Sequence, residues 1–113
     1  MTESILISIK KLLGITSENT DFDQDIILHI NSVFMILRQL GLGPEDGYRI
    51  EGDTNTWTEF VEDAAYLDAV KSYIYYKVKI LFDPPTNGTV MESTNRVINE
   101  LEWRLNISSD SIQ

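Results

Sequence analysis

The strongest constraint on this chain is Asp83-Pro84-Pro85, a hard break between two strongly periodic runs. Proline has no amide hydrogen, fixes φ near about −65°, and drives the residue before it out of the α region. Two in succession end any helix that reaches them. Upstream, Leu67, Val70, Ile74, Val78 and Leu81 recur at helical spacing, which predicts a helix over 65–82. Downstream, Thr89 and Glu92 have the spacing of a capping box, and Val90, Thr94, Val97, Leu101 and Leu105 share a face with Ile98 and Met91 beside it. This predicts a helix over 90–106, followed by a polar tail, 107–113, expected to fray.

The first half repeats the pattern. Ile5, Ile9, Leu12 and Leu13 share one face of a helix expected over 3–13, with Lys10 and Lys11 near its C-terminal end and Gly14 as its stop. A second helix is expected over 22–40, where Ile26, Ile30, Val33, Leu37 and Leu40 form a stripe widened by Ile27 and Phe34. Thr20 and Asp23 resemble a capping box at its start, and Gly41, Gly43 and Pro44 end it. The stretch 43–56 is rich in Gly, Asp, Asn and Thr and reads as a long loop with an extended piece at Tyr48–Ile50; loops of this length are usually functional or mobile. Trp57 and Phe60, one turn apart, predict a short helix. The expectation is one all-α domain over 1–113: four main helices, arranged as a helical bundle, plus a short aromatic helical turn.

Function is bounded mostly by what is missing. The chain has no cysteine, so disulfides, thiolate metal sites and Cys nucleophiles are excluded. No apolar run reaches the roughly 20 residues of a spanning helix, so no membrane partner is expected. The opening MTESILISIKKLLGI has neither a basic start nor a small-residue cleavage site, which points to a cytoplasm. Eighteen acids against nine bases give a net charge of −9. Affinity for nucleic acid comes largely from counterion release by Lys and Arg, so such a chain should repel DNA, although it suits a conduit along which DNA slides.

No motif for a cofactor or for catalysis occurs. Asp21, Asp23 and Asp25 invite a calcium reading, but an EF-hand loop begun at Asp21 would carry Ile26 and Ser32 where Gly and Glu are needed. Helix capping is the better reading, and no metal is expected. His29 is the sole histidine, has no nucleophile at a diagnostic spacing, and reads as a boundary or interface side chain. The chain is not expected to be an enzyme.

Two aromatic features exceed what a small core needs. On a wheel of 100° per residue, Tyr66, Tyr73 and Ile80 form a second stripe on the 65–82 helix, with Ala69 and Tyr76 beside it, roughly 100° or more from the first. One packing partner cannot bury both. Either other helices cover each side, or the second stripe meets another subunit. Trp103 points about 160° away from the apolar stripe of its helix, onto a charged face. Tyr66, Tyr73, Tyr76, Ile80 and Trp103 are therefore the candidate interface residues.

The stretch LDAVKSYIYYKVKILFDPPT, with a later helix ending INELEWRLN, resembles a family of small head–tail connector proteins of tailed phages and prophages of Gram-positive bacteria. KKLLGI, FDQDIILHINSVFMILRQLGLGP and TWTEF agree with it, so the likeness covers nearly the whole chain. Its sharpest motifs are Leu81-Phe82-Asp83-Pro84-Pro85 and Glu100-Leu101-Glu102-Trp103-Arg104-Leu105-Asn106. The resemblance implies a helical adaptor made in a host bacterial cytoplasm and built into the virion neck. It implies a ring, with the portal's twelvefold symmetry, that docks on the portal protein, meets a neck or tail-completion protein, and leaves an axial channel for DNA. It carries over no catalytic or cofactor residue. The alternative is a cytoplasmic helical adaptor or regulatory domain that binds one heterologous protein.

Overall fold

A computed structural model describes the backbone of residues 3–61 and 64–112 and the side chains of 3–61 and 66–106. Its helices are α1 (Ile5–Leu12), α2 (Asp23–Gln39), α3 (Trp57–Phe60), α4 (Ala64–Phe82) and α5 (Gly88–Ile112), with no strand among the described residues. The fold is all-α. The only β-type pairing there is an isolated antiparallel bridge of Ser4 with Thr56, so Tyr48–Ile50 joins no ladder.

α4 is the central element. It packs on α1 and α2 through one side and on α5 through another. Val70, Ile74 and Val78 are fully buried with Ile26, Ile30, Val33 and Leu37 of α2 and Ile5 and Ile9 of α1. The antiparallel α2–α4 pairing is marked by Phe22 at the start of α2 and Phe82 at the end of α4, whose rings meet edge-on at 5.5 Å. Each fully buried aliphatic side chain of this kind contributes about 1.5–3 kcal/mol relative to its exposed state.

Several helix ends differ from expectation, each for a local reason. Asp23 does not close a capping box with Thr20, because Lys10 takes its carboxylate at 2.8 Å. Lys10 is only 2% exposed, so the residue expected merely to complement a helix dipole is an internal tie between α1 and α2. Leu12, expected on the core face of α1, is half exposed, and Leu6 is buried instead. At α5 the cap is Asn87, not Thr89: its Oδ1 accepts from the amides of Thr89 at 2.8 Å and Val90 at 3.2 Å. α5 therefore starts two residues earlier than expected. It also runs through Ile112, so the expected frayed tail is helical over 107–112. α4 ends where the prolines dictate, with the Asp83 amide making a last bond to the Lys79 carbonyl at 2.8 Å.

The long loop is built into the core. Asn31 of α2 clamps the backbone of buried Ile50, donating to its carbonyl at 3.0 Å and accepting from its amide at 2.7 Å. Glu59 of α3 gathers Tyr48 Oη (2.8 Å), the Thr56 amide (3.1 Å) and Asn55 Nδ2 (3.3 Å) on one oxygen. Phe34, Tyr48 and Phe60 stack into a cluster with centroids 4.7–5.7 Å apart. Gly43 is forced: its φ is +90°, and a Cβ there would run into the Phe60 ring. At the other end, Trp57 is buried, and its indole N–H donates to Ser8 of α1 at 2.8 Å.

Candidate functional site

The two stripes of α4 meet two different elements. Tyr73 is fully buried against α5, where its hydroxyl donates to Glu102 Oε2 at 2.7 Å. Burial, then the bond to the Glu102 carboxylate and its charge, push the phenol well above its ordinary pKa. The expectation that Tyr73 faces a neighbouring subunit is corrected on this ground, because a side chain with no accessible surface has none to offer. α5 covers this part of the stripe because Ile98 and Leu105 supply the apolar face that the wheel demanded.

The other candidates remain at least partly accessible. Tyr66 is half-buried. Tyr76 is half-buried beside Tyr75, ring centroids 5.0 Å apart. Ile80 is half-buried and lines a groove of about 290 Å³ between α2 and α5, together with Val33, Ile36, Leu81 and Ile98. Lys77, Asn95, Asn99 and Glu102 form the groove's polar rim. Trp103 stands on the outer face of α5, 64% exposed, which is the orientation its wheel position predicts. The structure brings Tyr73 and Ile80 to the α4–α5 side of the molecule but leaves Trp103 apart, facing outward.

Sequence reasoning missed the outer face of α2. Leu28 and Met35, two turns apart, are each 64% exposed. They edge a second groove, about 490 Å³, closed on its far side by the loop segment 46–49. Phe34 and Tyr48 supply further apolar lining, and Arg38, Arg49 and Asp46 supply charge. Neither arginine makes an ion pair among the described residues. A wheel drawn for α2 would have exposed Leu28 and Met35, since both lie opposite the stripe begun at Ile26. The groove itself was not legible, because its far wall is a loop with no periodicity.

Charge chemistry is sparse elsewhere. Glu59 is held below the usual carboxylate range by the Tyr48 hydrogen bond first, then by the Thr56 amide and Asn55. Tyr48 is in turn pushed up to about 12 by burial and by Glu59. These groups tie the loop down. Among the described residues no three His, Asp or Glu side chains gather as metal ligands, and Asp23 of the Asp21–Asp25 run is occupied by Lys10.

Large exposed apolar side chains on the outward faces of α2 and α5 are the site's main feature. Residues 5–111 match the family model described as phage connector protein, and the chain belongs to that family. It is thus a structural connector of a phage particle, as the Leu81–Pro85 and Glu100–Asn106 motifs implied. Neither a curated protein nor a solved structure matches it.

Proposed function

We propose that the protein docks on the portal as a ring of identical subunits, twelve if it follows the portal's symmetry, and links the head to the neck or tail around a channel for DNA. The observation that carries this reading is the presence of large exposed apolar side chains on the outward faces of two different helices. Leu28 and Met35 lie outside α2, and Trp103 lies outside α5, both helices packing on α4. A ring subunit needs two unlike flanks, because each meets a different surface of its neighbour in a heterologous contact that closes on itself. The net charge of −9 supports a passage that DNA traverses without specific binding. Tyr66, Tyr76, Ile80 and Trp103 stand as the interface candidates, and no catalytic role is assigned to any residue.

Mass measurement by light scattering, alone and with purified portal protein, tests the reading. A ring, or stoichiometric capture by the portal, is the expected result. A stable monomer indifferent to portal would overturn it and favour an adaptor for some other single protein.

A further inference from the structure

We infer that Trp103 of one copy seats in the groove between α2 and the 46–49 loop segment of the next copy. The inference rests on the ring reading and names the contact that would build it. Three observations support it.

The first is an unfilled recess matched by a projecting side chain. The groove, about 490 Å³, is lined by the apolar bodies of Leu28, Phe34, Met35 and Tyr48, and it is large enough to admit an indole. Trp103 is the largest side chain on the protein's outer surface and is 64% exposed. An indole buries on the order of 150–250 Å² when it enters such a site.

The second is chemistry. Arg38 and Arg49 line the groove with guanidinium groups that have no ion-pair partner among the described residues, and a guanidinium stacks best on the face of Trp. Met35 adds a thioether, which also favours an aromatic edge. The flanking charges are opposite and therefore complementary. Glu92, Arg96 and Glu100 lie within about 60° of Trp103 on the α5 wheel, two acids and one base. The groove carries two bases, Arg38 and Arg49, and one acid, Asp46. Glu100 already bonds Arg104 through Oε1 and keeps its other oxygen for a neighbour.

The third is placement. α2 and α5 both pack on α4, and Leu28, Met35 and Trp103 stand exposed on the outward faces of these two helices. Trp103 is 64% exposed and does not line the groove, so knob and hole do not satisfy one another within the chain. They pair head to tail, and each junction leaves one free knob and one free hole for the next copy.

Complementation of two interface variants tests this contact. Trp103→Ala keeps the groove and loses the knob; Met35→Glu keeps the knob and spoils the groove. Both sites are exposed, so both chains should fold, which far-UV circular dichroism verifies; Leu28→Glu is the second groove variant. Wild type should self-associate in sedimentation, alone or on purified portal. Each variant alone should associate at least tenfold more weakly. An equimolar mixture of the two should recover a one-to-one pair that grows no further, because a single intact junction remains. If either variant assembles like wild type, or the mixture stays monomeric while wild type forms rings, the contact is wrong and the ring reading survives. If wild type associates neither alone nor on the portal, the ring reading fails and the contact falls with it.

Discussion

The segment 43–56 and helix α5 are opposites in how they are held. The loop has no periodicity, yet Ile50 is fully buried and its backbone is clamped on both sides by Asn31. α5 has a regular 3.6-residue pattern, yet it is packed on one side only and leaves Val90, Val97 and Trp103 exposed. The difference follows from where backbone polar groups find partners. A helix satisfies its own amides and carbonyls, so its outer side chains remain free for other molecules. An irregular segment does not, so side chains such as Asn31, Asn55 and Glu59 must be committed to its backbone. The segment that read as functional or mobile in the sequence is anchored, and the regular helix carries the tryptophan whose outward position the wheel had marked.

That contrast can be broken in several ways. Phe34→Ala should have the largest effect, about 3–5 kcal/mol in urea unfolding, because it removes the ring on which Tyr48 and Phe60 rest. A loss under about 1 kcal/mol would mean the aromatic cluster does not hold the loop. Asn31→Ala should follow at about 1–3 kcal/mol, with faster amide exchange at Ile50 while α5 keeps its protection. Unchanged exchange at Ile50 would show that the clamp is not what orders the loop. Asn87→Ala should cost about 1 kcal/mol, since two amides at the start of α5 lose their acceptor. Equal stability would return the cap to Thr89.

The next effect is confined to alkaline pH. Tyr48 and Tyr73 both hold their protons more tightly in the folded chain than the ordinary value of 10.0 allows, Tyr48 up to about 12. The stability Tyr48 contributes is whole below pH 10, declines as pH rises through about 12, and is lost above it. Tyr48→Phe should flatten the loop's share of that decline, and an identical alkaline profile for the variant would dissociate Tyr48 from it. Smallest of all, Trp103→Ala should leave the stability of the isolated subunit within about 0.5 kcal/mol of wild type while weakening assembly. A large loss of monomer stability would make Trp103 a core residue and end the contrast with the loop.

Helical periodicity was legible wherever apolar spacing was regular. The α2 stripe from Ile26 to Leu37 is buried as the wheel requires. Asp83-Pro84-Pro85 ends α4 at Phe82 because proline chemistry acts within a residue or two and needs no partner. The outward direction of Trp103 was legible for the same reason. Less was readable where two elements compete for one side chain. Asp23 was available to cap α2 but was taken by Lys10, thirteen positions earlier in the sequence. Thr89 had the spacing of a cap, but Asn87 reached the amides first.

The sequence by itself determined the all-α class, the approximate helices, the break at the prolines and the likeness to phage connectors. All of these rest on local spacing or on motifs read in order. Only the tertiary structure decided which side of α4 each helix covers. It turned Tyr73 from a candidate contact into a core residue bonded to Glu102, and it set the 46–49 segment against α2 to make a groove beside Leu28 and Met35. A wheel gives the direction of a side chain from its own helix. What lies in that direction depends on contacts between residues far apart in the chain, and no local spacing encodes those.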